Sequence, residues 1–121
     1  MNDKAVLIKV TDGTAPKIVP LPAGLYDIYR LLEIDCIDIV KRRINGKAYR
    51  VICDDMGWLK GNPVPSGISD DGRIAFVGNL LICSGKDSFD GELVGLSEAE
   101  AQKVVDCVYY TQSGYMLFGI Q

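Results

Sequence analysis

Residues 36–54 read CIDIVKRRINGKAYRVICD, two β-rich runs joined by Asn45-Gly46. Asparagine and glycine tolerate the positive φ that a two-residue hairpin turn requires, so this stretch predicts two antiparallel strands, Cys36 to Ile44 and Lys47 to Asp54. In the second strand Ala48, Arg50 and Ile52 point one way, and Tyr49, Val51 and Cys53 form the more apolar side. In the first, Ile37 and Ile39 set an inward phase that carries Lys41 and Arg43 onto the same face. That phase demands either a bulge or a strand that runs past the edge of the core, leaving the three charges Lys41, Arg42 and Arg43 solvated.

Outward from this hairpin, Ala5 to Val10 reads as a strand that turns at Thr11-Asp12-Gly13 toward a second strand at Lys17 to Val19. After Pro20-Leu21-Pro22, the residues Leu25, Ile28, Leu31 and Leu32 recur at offsets of three and four. They mark one face of a helix from about Gly24 to Glu33. Beyond the hairpin, Asp54-Asp55-Met56-Gly57 has the composition of a reverse turn with solvated carboxylates, and Trp58-Leu59-Lys60 is expected to return as a short strand. The prolines of Asn62-Pro63-Val64-Pro65-Ser66 end strand pairing there and predict a loop.

Further on, Asp70-Asp71-Gly72 predicts a turn, Ile74 to Val77 a strand, and Leu80 to Cys83 a buried apolar run. Gly78-Asn79 between them marks either a bulge or a place where a ligand meets the backbone, with Asn79 as its polar contact. Ser97-Glu98-Ala99-Glu100 is a capping box opening a helix whose apolar stripe is Ala101, Val104, Val105 and Val108. The closing GYMLFGIQ fits a last strand or, if exposed, a contact surface between subunits. The expected fold is therefore a single small α+β domain over residues 1–121, a mainly antiparallel sheet with two packed helices.

Composition narrows the functional classes. Net charge −3, from 13 basic and 16 acidic residues, argues against wrapping duplex nucleic acid. The segment MNDKAVLIKV lacks a secretory or membrane-spanning pattern, which points to the cytoplasm and to no membrane partner. Histidine is absent, which removes Ser-His and Cys-His catalysis and the commonest transition-metal ligand. Cys36, Cys53, Cys83 and Cys107 make no Cys-x-x-Cys pair and sit in apolar company, so they read as buried, reduced thiols. Ser84-Gly85-Lys86-Asp87-Ser88 is no phosphate-binding loop, since Gly78 lies too far back and Asp87 occupies the Ser/Thr position. The Asp-Gly turns lack the ligand spacing of a calcium loop. No cofactor, metal site or catalytic residue is predicted, and a hydrolase built on Asp54 or Asp55 has no partner base to support it.

What remains is a basic wall. Arg42, Arg43 and Arg50 offer planar donors for phosphate or carboxylate if their faces converge, with Trp58 and Tyr49 as stacking surfaces. Taken in order, VPLPAGLYDIYRLLEIDCIDIV, YRVICDDMGWLKGNPVPS, AFVGNLLICSG and LVGLSEAEAQKVV resemble the domain of unknown function 3846 family, from about Ile18 to Val105. That resemblance implies an α+β protein of bacteriophages and other mobile elements and carries no catalytic residues over. The resulting expectation is a non-enzymatic phage or prophage accessory protein, of the kind that inhibits host defence. It would sequester an anionic, nucleotide-like host signal through Arg42, Arg43, Arg50, Trp58 and Asn79. The alternative is an interaction module that binds only a host protein or a second copy of itself as a homo-oligomer, through an edge strand and the apolar tail.

Overall fold

The computed structural model describes residues 2–11 and 13–121; Asp12 of the first predicted turn lies outside them. Among the described residues nine strands and two α-helices follow in the order β1 (Lys4–Ile8), β2 (Lys17–Pro20), α1 (Leu25–Leu32), β3 (Ile37–Ile44), β4 (Lys47–Asp54), β5 (Pro65–Ser69), β6 (Ile74–Val77), β7 (Leu80–Ser84), α2 (Glu98–Val105), β8 (Val108–Thr111) and β9 (Gly114–Ile120). The sheet order is β2-β1-β7-β4-β3-β9-β5-β6, with β8 on β9, and every pair is antiparallel except β5 with β9. The α+β class and the Asn45-Gly46 hairpin are as the sequence predicts, Asn45 holding φ 50° and Gly46 φ 86°.

Strand alternation divides the core between the two faces of the sheet. Ala5, Leu7, Ile52, Leu81 and Cys83 face α1, whose Ile28 and Leu32 are buried against them. Val6, Ile8, Val51, Leu80 and Ile82 face the other way, onto Ala101 and Val104 of α2 and onto Phe76, Leu117 and Ile120. The far strands β9, β5 and β6 therefore curl back over the middle of their own sheet. Helix α1 stops where Glu33 turns left-handed at φ 58°, one residue after the last apolar position.

Three expectations need correction. Trp58-Leu59-Lys60 is no strand: Gly57–Leu59 forms a 3₁₀ turn, because β4 is already paired on both edges, to β3 and β7, and offers no place for a returning chain. The loop expected at residues 62–66 gives way to β5 at Pro65, which takes the first strand position, where a missing N–H costs least. Val108 leaves the helical stripe; α2 ends at Val105, and the β-prone Val108-Tyr109-Tyr110-Thr111 pairs with β9 instead. The closing segment is indeed a strand, with Met116, Leu117 and Ile120 buried in the core and Tyr115 and Phe118 half-buried.

The capping box of α2 forms as read: Ser97 Oγ accepts from the Glu100 amide at 3.1 Å and Glu100 Oε1 accepts from the Ser97 amide at 2.9 Å. Glu100 also pairs with Lys47 at the start of β4, and these contacts, the Lys47 bond foremost, pull its carboxyl down to about 2 from the usual 4.5. A lowered folded-state pKa stabilises the fold above the unfolded value and ceases to do so as pH falls through the folded one. Glu100→Gln keeps an oxygen for the cap and loses the ion pair. The wild type is expected to exceed this variant in stability by a constant margin above pH 4.5, a margin that shrinks below that value and disappears near pH 2. Urea titrations at stepped pH measure it; a margin that ignores pH would show that the pair contributes nothing.

Candidate functional site

Between the curled-over β6 and the β3–β4 hairpin lies a cleft of about 190 Å³. β3 sends Asp38, Val40 and Arg42 into it, since residues two apart share a face. Cys53, Asp54 and Asp55 come from the end of β4, Trp58 from the 3₁₀ turn, and Ala75, Phe76 and Val77 from β6. Trp58 stands 57% exposed at the mouth. The guanidinium of Arg42 lies over the Phe76 ring, 5.6 Å from its centre, and Nε donates to Gln121 O at 3.2 Å.

The hairpin register separates the predicted basic residues. Lys41 is opposite Arg50 and Arg43 opposite Ala48, so these share the α1 face, whereas Arg42, opposite Tyr49, stands on the cleft face. The ladder runs from Ile37 to Ile44 without a bulge; the strand outruns the cover of α1, and Ile39 is left 41% exposed. Arg43 donates to Gly46 O at 3.0 Å. Arg50 donates to Lys86 O at 2.5 Å and pairs with Asp87, so it fastens the loop that follows β7, and this contact lowers the Asp87 pKa. Asn79 is buried in a second hollow of about 110 Å³, where its side chain bonds Thr11 and Leu32 O. Tyr49 is buried in the core. Of the five predicted ligand residues the cleft unites Arg42 and Trp58.

The turn acids differ from the solvated pair expected. Asp54 is buried: Oδ1 accepts from the Met56 amide at 2.9 Å and Oδ2 pairs with Lys60 Nζ at 2.5 Å, which raises the lysine's pKa. Asp55 remains exposed. Asp38 and Asp55 are lining residues that the sequence reading missed, although the alternation of β3 already puts Asp38 on the face of Arg42. The cysteines are free. Cys53 and Cys83 are buried, with thiols pushed by desolvation to about 11, far from the thiolate a nucleophile needs. Cys36 is exposed and Cys107 half-buried, which corrects the expectation that all four are buried: Cys36 precedes β3 outside the α1 cover, and Cys107 follows the end of α2.

The two Asp-Gly turns repeat one bonding pattern. Ser69 and Ser88 each donate to the carboxylate two residues on, Asp71 and Asp90, and to the main-chain carbonyl four residues on. Among the described residues, no group of three or more Cys, Asp or Glu side chains is placed to hold a metal ion, and no helix is long and apolar enough to cross a membrane.

A family model described as Domain of unknown function (DUF3846) matches residues 4–109, from the first residue of β1 into β8. No curated protein and no solved structure matches the chain.

Proposed function

We propose that this chain, which belongs to the domain of unknown function 3846 family, is a non-enzymatic accessory protein of a phage or prophage that captures a small anionic, nucleotide-like ligand in the cleft of Arg42 and Trp58. The observation that supports the reading is the meeting of a planar cation and an exposed indole in one cleft. An aromatic ring would stack on Trp58, and one phosphate or carboxylate would take the planar donors of Arg42. Asp38 and Asp55 offer acceptors to ring amino groups, while Asp54 is occupied by Lys60. About 190 Å³ is below the roughly 300–1,000 Å³ of most drug-sized ligand sites, so the ligand is no larger than a mononucleotide with one anionic group. Several phosphates would also meet more carboxylates than guanidinium groups.

Calorimetric titration with a panel of nucleoside monophosphates tests this. Arg42→Lys is expected to weaken binding about tenfold, because an ammonium cannot reproduce a two-pronged planar contact, and Trp58→Ala by a similar factor. Undiminished binding by the Arg42→Gln, Trp58→Ala double variant would remove the cleft from consideration. A second reading, a protein-only interaction module, is favoured by an aromatic ribbon on β8 and β9. Tyr109 and Tyr110 are 58% and 74% exposed there and contact Phe118 and Tyr115 edge-on at 5.5 and 5.1 Å. Cellular proteins retained by the wild type and by the cleft double variant, and lost with Tyr110→Ser, would decide for it.

A further inference from the structure

The outer edge of β3 is unpaired along most of its length. Among the described residues β3 meets β9 at Ile44, and Gln121 N donates to Arg43 O at 2.8 Å; no strand pairs with residues 37–42 on that side. The two-residue turn fixes which main-chain groups face outward. Ile44 and Lys47 close the turn as a hydrogen-bonded pair, so Arg42 and Val40 also bond to β4, while Arg43, Lys41 and Ile39 alternate outward. The outward carbonyl of Arg43, taken by Gln121, agrees with this phase. Ile39 and Lys41 are left with outward N–H and C=O groups.

We propose that this edge pairs antiparallel with the same edge of a second copy of the chain, about a two-fold axis through Val40. The sequence of β3 is self-complementary in that register. Positions whose numbers sum to 80 face one another: Ile39 opposite Lys41 of the partner, Lys41 opposite Ile39, and Val40 opposite itself. Outward-pointing residues thus meet outward-pointing residues and exchange four main-chain hydrogen bonds. On the cleft face the same register sets Asp38 opposite Arg42 of the second copy, and Arg42 opposite Asp38, two cross-strand ion pairs flanking Val40. A two-fold axis at Asp38 or at Lys41 would instead place like charges together. One at Ile39 makes no such ion pair, so the charges select Val40. Lysine on an edge usually guards against pairing; here Lys41 projects to the α1 face, near Asp87 at 3.9 Å, and leaves the cleft face clear. The dimer is isologous, it brings the two clefts side by side, and its contacts form without a ligand, although Asp38 and Arg42 also line the cleft.

Sedimentation equilibrium of ligand-free protein, from micromolar to millimolar, tests the pairing. The wild type is expected to reach twice the 13.2 kDa chain mass at the upper end. Asp38→Arg or Arg42→Asp alone is expected to weaken dimerisation about tenfold or more, since each turns two attractions into repulsions, and the double charge swap to restore it. Ile39→Pro deletes an outward N–H that β4 does not use, and is expected to keep the fold while leaving a monomer. In the unaltered protein, amide exchange at Ile39 and Lys41 is expected to slow as concentration rises. A monomer at every concentration overturns the proposal. So does a dimer indifferent to Ile39→Pro, a folded double swap that stays monomeric, or exchange at Ile39 and Lys41 that ignores concentration.

Discussion

Replacing Gly85 by alanine is expected to lower the unfolding free energy by about 3 kcal/mol, near the upper end for a forced overpacking. Gly85 is buried directly after β7, where the chain passes over the backbone of β4. A Cβ there would lie 2.6 Å from the carbonyl oxygen of Ala48, 2.7 Å from its carbon and 3.0 Å from the amide nitrogen of Tyr49. These are main-chain atoms in a strand held on both edges, so no rotamer change relieves the overlap. The β4–β7 ladder has to part locally, beginning at the Tyr49–Ser84 pair, and the loop fastened by Arg50 to Lys86 and Asp87 moves with it. Urea denaturation of Gly85→Ala measures the effect. A loss under about 1 kcal/mol, within the range of ordinary substitutions, would mean that the strands are not in such close contact.

Gly85 also shows which parts of this protein can be read from its sequence. The Ser84-Gly85-Lys86 stretch invites comparison with a phosphate loop, and spacing suffices to reject that; its actual constraint, contact with a strand more than thirty residues earlier in the chain, has no local signature. The legible features are those whose cause is local. The Asn45-Gly46 turn and the Ser97-Glu100 box each specify their geometry within a few residues and appear as read; of the predicted α1 face Leu25, Ile28, Leu31 and Leu32, Ile28 and Leu32 are buried and Leu25, in the first turn, is 56% exposed. β5 and β8 are not legible because each depends on partners that local propensity does not announce: Pro65-Ser66-Gly67 has little strand propensity and gains its place between β6, antiparallel, and β9, parallel, while β8 pairs with β9. Trp58 does not return as a strand because β7 occupies the β4 edge that a returning chain would need. The candidate site divides along the same line. Period-two alternation in β3 already puts Asp38, Val40 and Arg42 together and separates Arg42 from Arg50. What no alternation reveals is that β6 curls over to close the cleft with Phe76.

Asn79→Asp is expected to cost about 3 kcal/mol, and Asn79→Ala about 2 kcal/mol, with the loss appearing in stability and no more than marginally in ligand affinity. The side chain is 3% exposed and joins three segments. Its Nδ2 donates to Leu32 O at 2.9 Å and to Thr11 Oγ1 at 3.3 Å, and its Oδ1 accepts from the Thr11 amide at 3.3 Å. Leu32 is the last residue of α1, so its carbonyl is one of those the helix leaves without an internal partner. Glu33 and Ile34 both direct their amides to Tyr29 O, and Asn79 supplies the donor that Leu32 needs. Gly78, at φ 80°, turns the chain so that Asn79 points inward between β6 and β7. Alanine leaves a buried carbonyl without its donor. Aspartate is worse, because it aims a second acceptor at that carbonyl while retaining the bond from Thr11. Because neither residue 78 nor 79 lines the cleft of Arg42 and Trp58, nucleoside monophosphate binding by folded Asn79→Ala should stay within about twofold of wild type. Equal stability of the aspartate and wild-type proteins would show that Leu32 O is satisfied otherwise. A tenfold loss of binding in a fully folded alanine variant would move the ligand site to the hollow beneath Asn79.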